Sequence, residues 1–191
     1  MKKTILLLML ITVLAPRAYA CVGKTLTIGA TSSLEEQVLA ELIAAMINER
    51  TGTSVQVRSF ASSRELAEAV KTEQVDISLG NTTRALVTLN KRPETDPDKA
   101  LAMVRAIYER EHGLVWLKPF VFRNGGSEGL SYTATILREE VLKNYPALPR
   151  IIGKLSAAVN DKAYSGLIRS VEAGERPKKV AKDFLKSKKL I

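Results

Sequence analysis

The stretch that decides the fold is 26–79, LTIGATSSLEEQVLAELIAAMINERTGTSVQVRSFASSRELAEAVKTEQVDISL. Three short runs in it, 26–30, 55–58 and 75–79, have the alternating or apolar character of strands. Two segments with apolar residues at helical spacing lie between them, and a Ser-x-x-Glu capping box precedes each. The order β-α-β-α-β predicts an α/β fold, a mostly parallel sheet flanked by helices.

The rest of the chain continues this pattern. A glycine-dense linker, Asn124 to Gly129, separates two further predicted strands, 114–117 and 131–137. The helical spacing of apolar residues predicts additional helices at about 96–111, 138–144, 148–158, 160–172 and 177–188.

Polar residues follow two of the predicted strands, and ligands bind parallel sheets beyond the carboxyl ends of their strands. We expect Ser32, Ser33, Asn81 and Thr82 to donate hydrogen bonds to a small solute. An anionic group would suit the helix N-terminus at Ser33, because backbone N–H groups are free there. Plain helix capping by the same side chains is the alternative, and the sequence leaves both open.

Signatures of catalysis are scarce in the sequence. The one histidine, His112, precedes a helix-ending glycine, where it favours the helix dipole. No arrangement in the sequence suggests a catalytic triad, a metal-binding Cys/His cluster or a phosphate-binding loop. The sequence therefore predicts a protein that is not an enzyme and needs no cofactor.

The N-terminus has the order of a secretory signal. Two lysines, an apolar run and an Ala-x-Ala site predict a signal peptide at 1–20 and a single mature α/β domain at 21–191. Removing the signal lowers the formal net charge from +9 to +6, because it takes Lys2, Lys3 and Arg17. The lone cysteine, Cys21, would then be the first residue. A lipoprotein anchored through Cys21 and a soluble periplasmic protein are both open.

The last predicted helix is rich in lysine. Its apolar stripe indicates a helix that packs on the core, so we interpret the lysines as its solvated face. A nucleic-acid partner is not expected for an exported protein. The same kind of interpretation applies to Trp116, whose apolar surroundings favour a place in the core.

Several segments together resemble the glycine betaine/choline family of substrate-binding proteins of ABC transporters. The similar segments are VDI at 75–77, YEREHGLVWLKP at 108–119, LREEVLKNYP at 137–146 and VAKDFL at 180–185. The most specific piece is GLVWLKP at 113–119. The resemblance implies a type 2 periplasmic-binding-protein fold with two lobes. It also implies a quaternary ammonium solute held between them by aromatic residues, and a membrane permease as partner.

The chain departs from the family pattern in three places. Only twelve residues separate Pro119 from Tyr132, where the family has its second lobe. The family's first binding motif is replaced by the longer IGATSSLEEQ at 28–37, and two tyrosines give way to SLGNTT at 78–83. We therefore expect a single-lobe member and carry over none of the family's cage residues.

Two functions follow from this resemblance. The first is an exported solute-binding component of an ABC-type uptake system for a glycine betaine-like osmoprotectant, its site completed by a second protomer or another protein. Phe122 and Asn124, near the expected hinge, are further ligand candidates. The alternative is an envelope interaction or sensing module that no longer binds solute.

Overall fold

The structure, a computed structural model, describes residues 25–120 and 131–191. These residues form one five-stranded sheet with helices on both faces. The strands are β1 (Leu26–Thr31), β2 (Val55–Phe60), β3 (Ile77–Asn81), β4 (Leu114–Trp116) and β5 (Thr133–Arg138). The helices are α1 (Leu34–Thr51), α2 (Ser63–Lys71), α3 (Thr82–Thr88), α4 (Pro97–His112), α5 (Glu139–Asn144), α6 (Leu148–Ala158), α7 (Asp161–Glu172) and α8 (Pro177–Ser187).

The strand order in the sheet is β2-β1-β3-β5-β4. The first three strands are parallel to one another, and β5 runs antiparallel to both of its neighbours. Four of the five strands consequently point the same way, which confirms the mostly parallel α/β sheet. The sequence did not predict the antiparallel direction of β5, because the spacing of apolar residues does not depend on the direction of a strand.

Each face of the sheet has its own core. On one face, α1, α6, α7 and α8 bury apolar side chains against β1, β3 and β5. On the other face, α3 and α4 pack on Trp116 and Ile136, so the predicted core position of Trp116 is confirmed. Helix α8 buries Val180, Ala181 and Leu185 and leaves its lysines exposed, as the sequence predicts.

Several elements differ from the sequence prediction. Strand β2 extends two residues further, to Phe60, and strands β3 and β5 begin two residues later, at Ile77 and Thr133. Val75 packs in a small separate cluster with Phe60 and Leu66. Helix α3 is not expected from the sequence at all. Asn81 ends β3 and also caps α3, since its side-chain Oδ1 accepts a hydrogen bond from Arg84 N (3.1 Å). A seven-residue helix is too short to show a reliable hydrophobic period.

None of the helices within residues 25–120 and 131–191 has the length and apolar character that a bilayer span requires.

Gly80 allows Trp116 to lie flat against the sheet. A Cβ atom at position 80 would stand 2.4 Å from Ile136 Cδ1 and 2.6 Å from Trp116 Cη2. Both neighbours are buried side chains of the second core, so neither can move away freely.

We expect Gly80→Ala to lower the free energy of unfolding by about 1–3 kcal/mol, the usual cost of overpacking a core. Urea unfolding followed by far-UV circular dichroism measures the effect. Gly153→Ala is the matched control: its Cβ meets nothing within 4 Å, and alanine in a helix is about 0.5–1 kcal/mol better than glycine. Equal stabilities of the two variants would contradict this packing account.

Candidate functional site

The candidate site lies at the carboxyl edge of the three parallel strands. Their last residues are Thr31, Phe60 and Asn81, and Thr31 and Phe60 stand side by side in the register. Helix α1 begins just beyond β1, and α3 begins directly after β3. The structure therefore brings the two polar segments that the sequence singles out to one edge of the sheet.

Glu36 places a buried carboxylate at this edge. The residue is 7% exposed, and its Oε2 accepts hydrogen bonds from Thr31 N (2.9 Å) and Thr31 Oγ1 (2.8 Å). The first turn of α1 also favours a negative charge through the helix dipole. Ser33 caps the helix as predicted, because its Oγ accepts from Glu36 N (3.3 Å). The glutamate of the capping box bonds to Thr31 rather than to the capping serine itself.

Arg84 brings the opposite charge to the same place. Its Nη2 lies 3.3 Å from Glu36 Oε1, although the two residues are 48 positions apart in the chain. The Arg84 side chain is 59% exposed, so solvent screens the pair and its net contribution to stability is modest. The edge therefore combines a buried carboxylate with a guanidinium that faces solvent.

Tyr164 brings the C-terminal half of the chain to this region. Burial raises the pKa of its phenol, and the negative charges of Glu35 and Glu36 raise it further. A phenol that feels both carboxylates lies within electrostatic range of the start of α1. The hydroxyl consequently stays neutral at physiological pH and remains a hydrogen-bond donor.

Phe60 does not offer an open aromatic face at the edge. The guanidinium of Arg58 lies 5.3 Å from the centre of its ring, and the residue is buried beside Leu66. A cation already stands over this ring, so Phe60 is not free to take part in a cage for a quaternary ammonium.

The predicted ligand residues of the first polar segment have different surroundings. Ser32 is exposed, whereas the hydroxyl of Ser33 caps α1 and donates to Glu35 Oε2 (2.8 Å). The structure thus gives Ser33 a capping role, and the ligand roles of Ser32 and Ser33 stay predictions.

The predicted ligand residues of the second polar segment, Asn81 and Thr82, form hydrogen bonds within the fold. Asn81 Nδ2 donates to Ser131 Oγ (2.8 Å), and its Oδ1 caps α3. Thr82 is fully buried, and its Oγ1 accepts from Tyr132 N (3.1 Å). Both residues connect the start of α3 to the two residues that precede β5, and their ligand role also stays a prediction. Phe122, Asn124 and Cys21 lie outside the described residues.

The sequence did not predict three residues of this edge, Glu36, Arg84 and Tyr164, as site residues. Glu36 is recognised only as half of a capping box, although its carboxylate binds beyond the helix. Arg84 follows the second polar segment but has no pattern that points to Glu36. Nothing in the sequence links Tyr164 to this edge, because only the packing of α7 brings it near.

The chemistry of the edge is that of binding. Opposite charges, hydroxyls and the N-terminus of α1 can orient a small dipolar molecule. Across the described part of the chain, no three His, Cys, Asp or Glu side chains converge as a metal ion would require.

Comparison with known proteins gives one family and one fold. Residues 24–130 match the model of the substrate binding domain of the ABC-type glycine betaine transport system. A solved structure described as a glycine betaine/carnitine/choline ABC transporter has a TM-score of 0.79 and 14% identity, over 86% of this chain and 99% of that one. The structure of apo YehZ from Escherichia coli has a TM-score of 0.78 and 14% identity, over 88% of this chain and 100% of that one.

Lactococcal OpuAC, in a closed conformation complexed with glycine betaine, is less similar in shape. Its TM-score is 0.51 at 14% identity, over 87% of this chain and 97% of that one. At such low identity these likenesses show the fold alone, and they confirm the binding-protein fold expected from the sequence. The family match covers more than half of the chain.

The contacts of Glu36 lead to a stability prediction. Glu36→Gln should lower the free energy of unfolding by about 1.5–3 kcal/mol, the range for hydrogen bonds to charged groups. If the amide oxygen keeps the bonds from Thr31, the amide NH₂ must face Arg84, where donor meets donor. Chemical denaturation measures the loss. Glu68→Gln, exposed on α2, is the control and should change little; similar losses in both variants would contradict the role of Glu36.

Proposed function

This chain belongs to the family of substrate binding domains of ABC-type glycine betaine transport systems, and on that premise we propose that it binds a small zwitterionic solute of the betaine class. The family is one of solute-binding proteins rather than enzymes. The coarse function, a solute-binding component of an ABC transporter, follows from membership. The solute class and the site are our proposal.

The paired charges of Glu36 and Arg84 carry this proposal. A betaine has a carboxylate at one end and a quaternary ammonium at the other. The exposed guanidinium of Arg84 suits the carboxylate, because charge-assisted hydrogen bonds are the strong ones. Ser32, exposed at the N-terminus of α1, would add a donor for the same group, and Ser33 would do so by releasing Glu35. The ammonium end would lie towards Glu36, whose charge favours it.

The opposite wall of the site is the second part of the proposal. Only residues 121–130 join Phe120 to Ser131, so residues 21–191 would form one lobe. A cleft binder buries most of its ligand between two walls. We assign the missing wall to a second protomer or to the membrane permease, with Phe122 and Asn124 close to the junction and Asn81 and Thr82 shaping the near wall.

Export is the third part. The signal at 1–20 would direct the chain out of the cytoplasm, and cleavage after Ala20 would leave Cys21 first. The lone cysteine of the chain stands where lipoprotein processing needs one, so we place a lipid there. The lipid would keep the lobe beside a permease in the membrane.

An interaction module without solute is a second candidate. Leu34, the first residue of α1, is 39% exposed, and Val87 on α3 is 58% exposed. Both helices begin at the candidate edge, so a protein docked there would bury these side chains. Such a module would use the uncovered edge to dock a partner in the envelope, and the solute experiment below separates it from the first candidate.

Arg84→Gln tests the solute class. The variant should bind glycine betaine, carnitine and proline up to about fivefold more weakly, because an exposed charge pair contributes up to about 1 kcal/mol. Choline has the ammonium but no carboxylate, so its binding should not change. Isothermal titration measures the affinities. Arg92→Gln, an exposed arginine in the loop after α3, is the matched control.

The melting temperature of the chain without substitutions, measured with and without solute, tests whether a solute binds at all. A solute at a hundredfold excess over its dissociation constant should stabilise the fold by about 2.7 kcal/mol. If no betaine-class solute at millimolar concentration changes the melting temperature of the chain, either alone or with the permease present, the solute proposal is wrong. A stable dimer by light scattering, together with that result, would support the interaction module.

Cys21→Ser tests anchoring. The protein with Cys21 intact should partition into the detergent phase and carry an acyl mass on its N-terminal peptide, whereas the Cys21→Ser variant should remain in the aqueous phase. Phase separation and mass spectrometry measure both. If the protein with Cys21 intact stays in the aqueous phase and lacks an acyl mass, the proposed lipid at Cys21 is wrong and the protein is a soluble periplasmic one.

A further inference from the structure

The positive charge of the chain is concentrated at one end of the sequence. Residues 176–191 contain seven lysines and arginines and one aspartate, which gives a formal charge of +6. Residues 21–175 contain nineteen basic and nineteen acidic residues and are formally neutral. The whole charge excess of the chain after residue 20 therefore lies on α8 and the residues beside it.

Part of this charge is already neutralised. Lys179 pairs with Glu175 (2.7 Å) and Asp183 (3.2 Å), and Lys182 lies 3.7 Å from Glu49. Lys186, Lys188 and Lys189 have no acidic partner within salt-bridge distance in the described parts of the chain, and all three are exposed.

A fourth cation joins these three lysines. Arg50, at the end of α1, donates from Nε to Leu190 O (2.7 Å), which places its guanidinium against the backbone of the residue that follows Lys189. Arg50, Lys186, Lys188 and Lys189 form the basic end of the molecule.

The basic end lies opposite the candidate ligand edge. Helix α1 starts beyond the carboxyl end of β1 and runs back, so Arg50 lies where β2 is about to begin. Helix α8 runs alongside in the same direction, because the charge of Lys178 near its start acts on Glu41 in the middle of α1, whereas Leu190 beyond its end meets Arg50 at the end of α1. A surface bound at the basic end would leave Glu36 and Arg84 accessible.

We propose that the basic end docks on an anionic phospholipid surface. Three of its four cations are lysines, which act as flexible point charges and suit a diffuse negative surface better than a shaped acidic site on a protein. Each basic residue close to such a surface strengthens binding about fivefold. The proposal does not depend on which solute the protein binds.

The start of the sheet supports this orientation. Leu26 begins β1 at the same edge as the basic end, and Cys21 precedes it by five residues in the sequence, a reach of at most about 18 Å. A lipid on Cys21 would therefore enter a membrane on the same side. One acyl chain binds a membrane only marginally, whereas one chain with a basic patch binds stably.

Vesicle sedimentation of the purified mature protein carrying Cys21→Ser tests the basic end without an acyl chain. The protein should bind phosphatidylcholine vesicles that contain phosphatidylglycerol, and not phosphatidylcholine alone. Binding should weaken strongly between about 0.1 M and about 1 M salt, where the screening length falls from about 10 Å to about 3 Å. Removing the three exposed lysines, as Lys186→Gln, Lys188→Gln and Lys189→Gln together, should weaken binding roughly a hundredfold.

The control removes the same charge elsewhere, as Arg64→Gln, Arg92→Gln and Lys99→Gln together; these three residues are exposed and lie on other parts of the surface. Circular dichroism establishes that both triple variants are folded. Equal weakening in the two variants would show a general charge effect and overturn the proposal. Absence of binding to the anionic vesicles, or equal binding to the neutral ones, would overturn it as well.

Discussion

The buried ion pair between Asp76 and Arg138 holds the two halves of the sheet together. Arg138 Nη2 lies 2.7 Å from Asp76 Oδ1, and both side chains are almost fully buried. Asp76 Oδ2 also accepts from Thr27 N (2.9 Å), so one carboxylate connects β1, β3 and β5. Burial alone would lower the pKa of Arg138, but the bond to Asp76 raises it above its usual value. Breaking a buried ion pair typically costs about 3–5 kcal/mol. Arg138 Nη1 also lies 3.2 Å from Glu73 and 3.5 Å from Glu140, whose side chains are exposed.

The two ends of the parallel strands differ in how their ion pairs are exposed to solvent. The strand after the linker, β5, joins β3 through Arg138 at the amino edge, where the charges are enclosed. At the carboxyl edge the corresponding pair, Glu36 and Arg84, has one partner open to solvent. A closed pair maintains the fold, whereas a half-open pair can exchange its partner for a ligand. The edge that parallel sheets commonly use for ligands is the one left available.

How much of this was visible in the sequence depends on the range of each interaction. The capping serine at Ser33 and the helix ends were predictable, because these signals act within a few residues. The contact between Glu36 and Arg84 was not, since 48 residues separate them and neither stands out in composition. The antiparallel β5 was equally hidden, because the direction of a strand depends on the connection before it. Glu36 shows the limit well: the sequence predicts its helix position but not the bonds of its carboxylate.

A single wall changes what solute binding means for this protein. A solute at the open edge keeps one side in water, where charge pairs such as that with Arg84 are weak. Tight binding requires a second wall, and in our proposal that wall belongs to another protomer or to the permease. Because coupling between two ligands is reciprocal, a partner that strengthens solute binding is itself bound more strongly when solute is present. In the proposed arrangement, a one-lobe receptor would therefore signal the presence of solute by assembling with that partner.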